Sequence, residues 1–250
     1  MPISCEADQR VFTLFAGLNV GGYDIEQGPA MDPLRVAVRE ALASADAKLV
    51  STFETILSQS TAEQLSLMAV KDIGNPPGFG IKQTYGILPD LSAALSSFWK
   101  GPGESLANDH SGELTAGAEA LAGPATEKIR AVLAYCHEES SPLASVEIIV
   151  NPLASHGFTS FYLDGISKKG YIVVGPDDDG RLADVVHQFV HLYFGNDLFR
   201  QFELDGKLGR FAPIRDRAKA VPAISQEYAS LQGFVEDCLV RAVVVKVVGG

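Results

Sequence analysis

The chain has 250 residues, of which 46% are hydrophobic and 20% are charged, a composition typical of a folded globular protein rather than a disordered one. Lys and Arg number 20 against 31 Asp and Glu, and the resulting net charge of −11 argues against nucleic acid or an anionic membrane surface as the main partner. The three cysteines lie far apart in sequence, so neither a disulfide framework nor a thiolate zinc site is expected. No apolar run reaches the roughly 18 residues of a membrane-spanning helix.

The two ends of the sequence bear on its compartment. The amino terminus shows neither the basic nor the apolar segment of a signal peptide, so the chain as written is expected in the cytoplasm. Because it begins almost directly on a strand-like run and ends in the apolar run 243–248, an exported protein with its leader trimmed off is the open alternative.

Residues 1–140 are predicted to be mainly helical, after one short strand. The partly alternating apolar run at 10–18 favours that strand. Pro33 suits the first position of a helix, because proline lacks the N–H that this position leaves unpaired. Further helices are predicted at 60–70 behind a capping box, at 89–99, and within 104–139 as two helices separated at Gly123–Pro124.

Residues 141–250 have a different pattern. Three β-branched or aromatic runs predict strands at 146–150, 157–163 and 169–174. A helix is predicted at 182–194, ended by Gly195, and a last one at 224–245. The acidic run at 177–180 lacks a downstream Glu at EF-hand spacing, so it indicates a helix start rather than a calcium loop. The sequence therefore predicts an α+β protein, with a helical region at 1–140 and a small sheet with its helices at 141–250, in one compact unit.

Two histidines on the predicted helix 182–194 are the candidates for chemistry. His187 and His191 are four residues apart, which places both imidazoles on one helical face where they can bind one metal ion. Asp184 shares this face and is a candidate to orient an imidazole. The alternative is a pair of histidines at the edge of the core whose hydrogen bonds are satisfied by neighbouring polar groups.

This layout resembles the zincin fold of zinc metallopeptidases, in which a helix with two histidines follows a small sheet. It is most similar to the gluzincins, and to uncharacterised bacterial domain families with a degenerate gluzincin pattern, over residues 146–245 at most. Gluzincins take their third zinc ligand from a Glu on a later helix, and Glu236 matches that position. The resemblance implies Zn²⁺ held by His187, His191 and Glu236, and a peptide or protein substrate. Pairing of Glu236 with Arg241 or Arg217 is the alternative.

The sequence departs from the family at the residue after the first histidine. Active enzymes have a Glu there as general base, whereas this chain has Gln188, which accepts a hydrogen bond but cannot take up a proton. The resemblance therefore implies retained zinc binding with weak or lost peptide hydrolysis. Another acid, such as Glu227 or Asp184, is the alternative base.

The remaining candidates also rest on the resemblance. Tyr228 is the first candidate for a catalytic oxyanion donor, followed by Tyr171, Tyr162 and His156. The strand 169–174 is expected at the sheet edge, where it would hold an extended peptide. A metal-free binding or interaction protein on a zincin-like scaffold remains the alternative function.

Overall fold

The structure is a computed structural model that describes residues 1–24, 31–136, 142–176, 181–218 and 230–249, with only the backbone described at 195–203. Within these residues the chain has an α+β fold, as predicted, with helices on both faces of one four-stranded mixed sheet. The strands are β1 (Ile3–Glu6), β2 (Ser145–Val150), β3 (Thr159–Leu163) and β4 (Lys169–Val174). The helices are α1 (Gln9–Val20), α2 (Pro33–Ala41), α3 (Ala47–Gln59), α4 (Ala62–Asp72), α5 (Leu88–Phe98), α6 (Glu104–Asp109), α7 (Ser111–Tyr135), α8 (Arg181–Leu204), α9 (Ala212–Ala218) and α10 (Leu231–Val248).

The order of strands across the sheet is β1-β2-β4-β3. The first three run parallel, and β3 is antiparallel to β4. The prediction that residues 169–174 form an edge strand is therefore wrong, because β4 pairs with β2 on one side and β3 on the other. A tight turn that places the Lys168 N–H 2.8 Å from the Asp164 carbonyl folds β3 back onto the outer side of β4, so β3 is the edge.

Alternating side chains on β2 and β4 enter two separate apolar cores, as the pleat of a strand requires. Ile149 and Val173 pack with the core that contains α1, α3, α4 and α5. Ile148 and Ile172 face the other way and pack with α7, α8 and α10. The sheet is thus covered on both faces, and α1 and α8 lie on opposite sides of it.

Residues 10–18 form the middle of α1, so the predicted strand at this position is wrong. The Asp8 carboxylate accepts a hydrogen bond from the Arg10 N–H at 2.7 Å and caps the helix. Every residue from Val11 to Asn19 is buried, so the helix has no exposed polar face and its sequence carries no clear helical periodicity. The short strand of this region is β1, which precedes the helix.

Other helix boundaries are partly as predicted. Pro33 begins α2, and Thr61 caps α4 with Gln64 as its capping-box partner. The break predicted at Gly123–Pro124 is wrong, because α7 runs through it, and α8 continues beyond Gly195. The predicted residues 137–139, 177–180 and 224–229 lie outside the described part of the chain. Among the described residues, no helix combines the length and apolar character needed to cross a bilayer.

Candidate metal centre

Helix α8 holds both predicted histidines on one partly buried face. Val186, Phe189 and Val190 are fully buried against the sheet and fix the rotation of the helix. His187 and His191 then project to one side, with side chains 25% and 16% exposed. Their Nε2 atoms lie 3.1 Å apart, so the two rings converge on one point as the spacing predicts.

Helix α10 brings two carboxylates to these histidines. The Ser230 hydroxyl accepts a hydrogen bond from the Gly233 N–H at 3.0 Å and caps the helix, and Val240 is completely buried against α8 and its neighbours. Glu236 Oε1 lies 2.9 Å from Nδ1 of His191. Asp237 Oδ1 lies 3.9 Å from Nε2 of His187.

The structure gives Glu236 and Asp237 different positions in the site. Among the described residues, ligand atoms of His187, His191 and Asp237 lie within 4.8 Å of one another. Glu236 contacts His191 on Nδ1, the nitrogen turned away from His187. Consecutive helical residues point about 100° apart, and the docking of α10 turns Asp237, rather than Glu236, towards His187. Among the described residues, Asp237 is thus the acid that shares one group of possible ligand atoms with both histidines, and Glu236, the ligand that the resemblance implies, lies on the outer side of His191.

Of the two arginines predicted to compete for Glu236, Arg241 pairs with Asp237 instead, and Arg217 Nε donates to the Pro213 carbonyl at 3.3 Å. Arg241 Nε donates to Asp237 Oδ2 at 2.6 Å, one helical turn further along α10. The carboxylate therefore has one oxygen held by the guanidinium and the other near the histidines. Because the Arg241 side chain is 64% exposed, this ion pair fixes the orientation of Asp237 more than it stabilises the fold.

The spacing of the nitrogen atoms fits one tetrahedral metal ion. At Zn–N distances of about 2.0–2.1 Å, two nitrogen ligands of one Zn²⁺ lie about 3.3 Å apart. The observed separation of 3.1 Å is close to this value. To complete the set, the Asp237 carboxylate would move by about 0.5 Å towards His187 Nε2 and further towards His191, since the three ligand atoms now lie within 4.8 Å of one another. Two imidazoles and a carboxylate are a donor set that suits Zn²⁺.

The protonation states of the histidines also suit a metal. Burial, and then the nearby His191, lower the pKa of His187, so its neutral form, the metal ligand, prevails at neutral pH. A carboxylate beside Nδ1 of His191 favours the tautomer that donates to Glu236 and leaves Nε2 bare. Glu236 therefore orients His191 and fixes which nitrogen can bind.

The side chain of Gln188 forms a hydrogen bond with the edge strand β3 rather than with a histidine. Its Nε2 donates to Thr159 Oγ1 of β3 at 2.8 Å. Its Oε1 is buried, and among the described residues it has no hydrogen-bond partner. Two residues along the same face of β3, the ring of Phe161 stacks on His191 with centroids 5.4 Å apart and an interplanar angle of 8°. The edge strand thus contacts the turn of α8 that carries the two histidines at two points.

The other predicted site residues lie elsewhere. Asp184 is in the first turn of α8, and the carboxylate oxygen near His187 belongs to Asp237. Tyr162 and Tyr171 stack on each other with centroids 6.2 Å apart, and Tyr162 lies under Lys71 of α4, on the face of the sheet opposite α8. His156 is exposed in the loop between β2 and β3. Tyr228 and Glu227 lie outside the described residues.

Sequence reasoning missed the contributions of Thr159 and Phe161, and it gave Asp237 only an orienting role. The spacing of Asp237 and Arg241, four residues apart on a helix, is a signal for their ion pair. Thr159 and Phe161 share a strand face, but only the packing of β3 beside α8 shows which residues that face meets. Comparison of the chain with protein-family models, curated proteins and solved structures gives no significant match.

Proposed function

We propose that the chain is a zinc-binding protein with a metallopeptidase-like centre, in which His187, His191 and Asp237 hold Zn²⁺. The observation that carries the proposal is the pair of Nε2 atoms 3.1 Å apart with a carboxylate oxygen close by. The sparse cysteines agree with it, since histidine and carboxylate are then the ligands that the chain offers. The resemblance to gluzincins supports the choice of zinc.

The chain's own residues have distinct tasks in this proposal. Glu236 accepts a hydrogen bond from the Nδ1–H of His191 and so directs Nε2 towards the ion. Arg241 holds the second oxygen of Asp237 and limits its rotation. The ion, when bound, would act as a Lewis acid that polarises a carbonyl and activates water.

Gln188 makes hydrolysis weak or absent. General-base catalysis contributes about 10²–10⁴-fold, and a carboxamide cannot supply it. The structure places the amide in a hydrogen bond with Thr159, at the edge of the sheet beside the site. A protein that binds a peptide or protein without efficiently cleaving it fits this arrangement best.

Metal analysis of the purified full chain tests the proposal. After incubation with Zn²⁺ and removal of loosely bound ions, one equivalent of zinc is expected, and it should be lost in His187→Ala. His156→Ala is the matched control, because that histidine is exposed in a loop. Wild-type protein that retains no zinc would overturn the assignment.

The same titration separates the metal-free alternative. In the structure, His191 already contacts His187 through Nε2 and Glu236 through Nδ1, so these polar groups can satisfy one another without a metal. A metal-free interaction protein would keep its fold and bind no zinc at any concentration tested. Saturable binding at one site would exclude that alternative.

A Gln188→Glu variant tests the catalytic part. If the chain is a decayed peptidase, this substitution is expected to raise cleavage of an unfolded protein substrate by about 10²-fold or more. Thr159 can still donate its hydroxyl to the new carboxylate, so the local fold should persist. No gain in a variant that still binds zinc would indicate a non-catalytic site.

A further inference from the structure

A cavity of about 280 Å³ lies at the carboxyl ends of the parallel strands, separate from the histidine site. Val150, the last residue of β2, and Pro152 form part of its wall. Arg181, the first residue of α8, forms another part, about 9 Å along the helix axis from His187 at about 1.5 Å per residue. Helices α2 and α7 supply the remaining walls.

The topology of the sheet creates this crevice. After β1 the chain enters α1 on one face of the sheet, whereas after β4 it enters α8 on the other face. β2 lies between these two strands, so the connections diverge at its carboxyl end. Such divergence opens a crevice at the strand ends, and in open α/β sheets small ligands bind there.

Arg181 is the group in this cavity whose hydrogen bonding is incomplete. Its Nε is buried, and no described residue is its hydrogen-bond partner. The Nε atom itself has no exposed surface, so a ligand would contact the guanidinium at its other N–H groups, which can bind a carboxylate through two parallel hydrogen bonds. The arginine therefore provides a position for an anionic group of a ligand.

The other charges in the wall limit the charge of that ligand. Asp32 and Glu113 also line the cavity, and Glu113 accepts a hydrogen bond from His110 at 3.1 Å. Two acids near one arginine disfavour a multiply charged anion such as phosphate. They are compatible with a single carboxylate, and with an ammonium group on the same molecule.

The rest of the wall is apolar and leaves space for a ligand. Leu34, Leu114, Val150 and Pro152 line it. Gly117 lies inside α7, where glycine costs about 1 kcal/mol relative to alanine, and a Cβ built there meets only Val150 Cγ1 at 3.9 Å. The helix thus has a glycine at a position where a larger side chain would enter the cavity.

We infer that this cavity is a binding site for a small organic carboxylate with an apolar body, about the size of an amino acid, held through the Arg181 guanidinium. The volume lies just below the roughly 300–1,000 Å³ of sites for drug-sized ligands, so the occupant is a smaller molecule. This inference does not depend on zinc or on the proposed peptidase-like function.

Calorimetric titration of the full chain with L-leucine, 4-methylpentanoate and inorganic phosphate tests the inference. Leucine and 4-methylpentanoate share the branched apolar body and the carboxylate, and only leucine has an ammonium group. Saturable binding of at least one of them is expected, with a Kd of roughly 10 μM to 1 mM. Stronger binding of leucine would assign the ammonium group to Asp32 or Glu113.

Three variants locate the binding. Arg181→Gln is expected to weaken it by about tenfold or more, because a charged hydrogen bond is lost. Gly117→Leu is expected to abolish it by filling the cavity, while the gain in helix propensity keeps α7 folded. Arg130→Gln, an exposed arginine on α7, is the matched control and should bind as wild type does.

Two kinds of result would overturn the inference. One is that neither carboxylate binds, with or without binding of phosphate. The other is that a carboxylate binds and its affinity is unchanged in both Arg181→Gln and Gly117→Leu, each shown by circular dichroism to be folded.

Discussion

The two neighbouring acids of α10 should contribute unequally to zinc affinity. Asp237 Oδ1 lies 3.9 Å from His187 Nε2 on the side of the proposed ion, whereas Glu236 contacts the outer nitrogen of His191 at 2.9 Å. Asp237→Asn therefore removes an anionic ligand, and Glu236→Gln removes only a charge, since its amide oxygen can still accept from Nδ1. The prediction is a larger loss of affinity in the first variant.

The magnitudes follow from the roles of the two acids. Protein zinc sites bind with at least about 10 kcal/mol, so each of three ligands carries roughly 3 kcal/mol, or about two orders of magnitude in Kd. A residue that only orients a ligating histidine is worth about 10–100-fold, and its isosteric amide should fall at the lower end. Asp237→Asn is thus expected to raise the zinc Kd about 100-fold, and Glu236→Gln about tenfold.

Competition with a chromophoric zinc chelator at neutral pH measures both values, and the visible spectrum of bound Co²⁺ reports the coordination geometry. Glu119→Gln, an exposed acid on α7, is the control and should leave the affinity unchanged. A greater loss in Glu236→Gln than in Asp237→Asn would refute the assignment and restore Glu236 as the ligand. Unchanged affinity in both variants would move the metal site elsewhere.

Two further predictions concern the fold. Hydrogen bonding to Glu147, followed by burial, raises the pKa of Glu6 from 4.5 to about 7, so the stability that its protonated form contributes is present below pH 4.5 and is lost as the pH rises through 7. Because Glu6 is largely exposed, solvent screening reduces this contribution to the free energy of unfolding to about 1 kcal/mol. Above neutral pH, urea unfolding should show Glu6→Gln to be more stable than wild type by about that amount. The same dependence of stability on pH in both proteins would contradict this prediction. Gly17→Ala should cost about 2 kcal/mol, since the added Cβ would lie 2.2 Å from Cζ of Phe53. When Phe53→Leu is combined with Gly17→Ala, a double-mutant cycle should show that at least about 1 kcal/mol of this cost is recovered. A Gly17→Ala variant more stable than wild type would contradict the close approach of Phe53 to Gly17.

The strands of the carboxyl-terminal half were predictable, because each has its own β-branched pattern and clear turn residues. Residues 145–150 and 169–174 match the predicted runs almost to the residue. Their places in the sheet were not predictable, since pairing depends on contacts between distant residues. Because β3 folds back antiparallel onto β4, β3 is the edge strand. The sequence pattern of each strand does not indicate which strand lies at the edge.

The errors in the helical half have a different cause. At residues 10–18 the helix is buried on all sides, and periodicity exists only where one face differs from another. Pro124 lies inside the long helix α7. Proline has no backbone N–H, so one helical hydrogen bond is lost there, and the packing of the helix outweighs this local cost. Both cases show tertiary burial overriding the local preference of the sequence.

The candidate site was predictable as far as one helix could define it. His187 and His191 are four residues apart on α8, so their convergence follows from helical geometry alone. The choice between Glu236 and Asp237 depends on the rotation of α10 about its axis. That rotation is set by Phe234, Val235 and Val240, which are buried, and it is a property of packing rather than of spacing.

The dependence on packing makes the docking of α10 the step that completes the proposed centre. The two histidines are preorganised by α8 and by the contacts of Phe161 and Thr159 with that helix, so they would persist without the acids. A zinc ion bound to His187, His191 and Asp237 would join α8 to α10 across their interface. Since an ion that binds only the folded state stabilises it by about 2.7 kcal/mol at 100 times its Kd, zinc would stabilise this helix pair as well as serve any chemistry at the site.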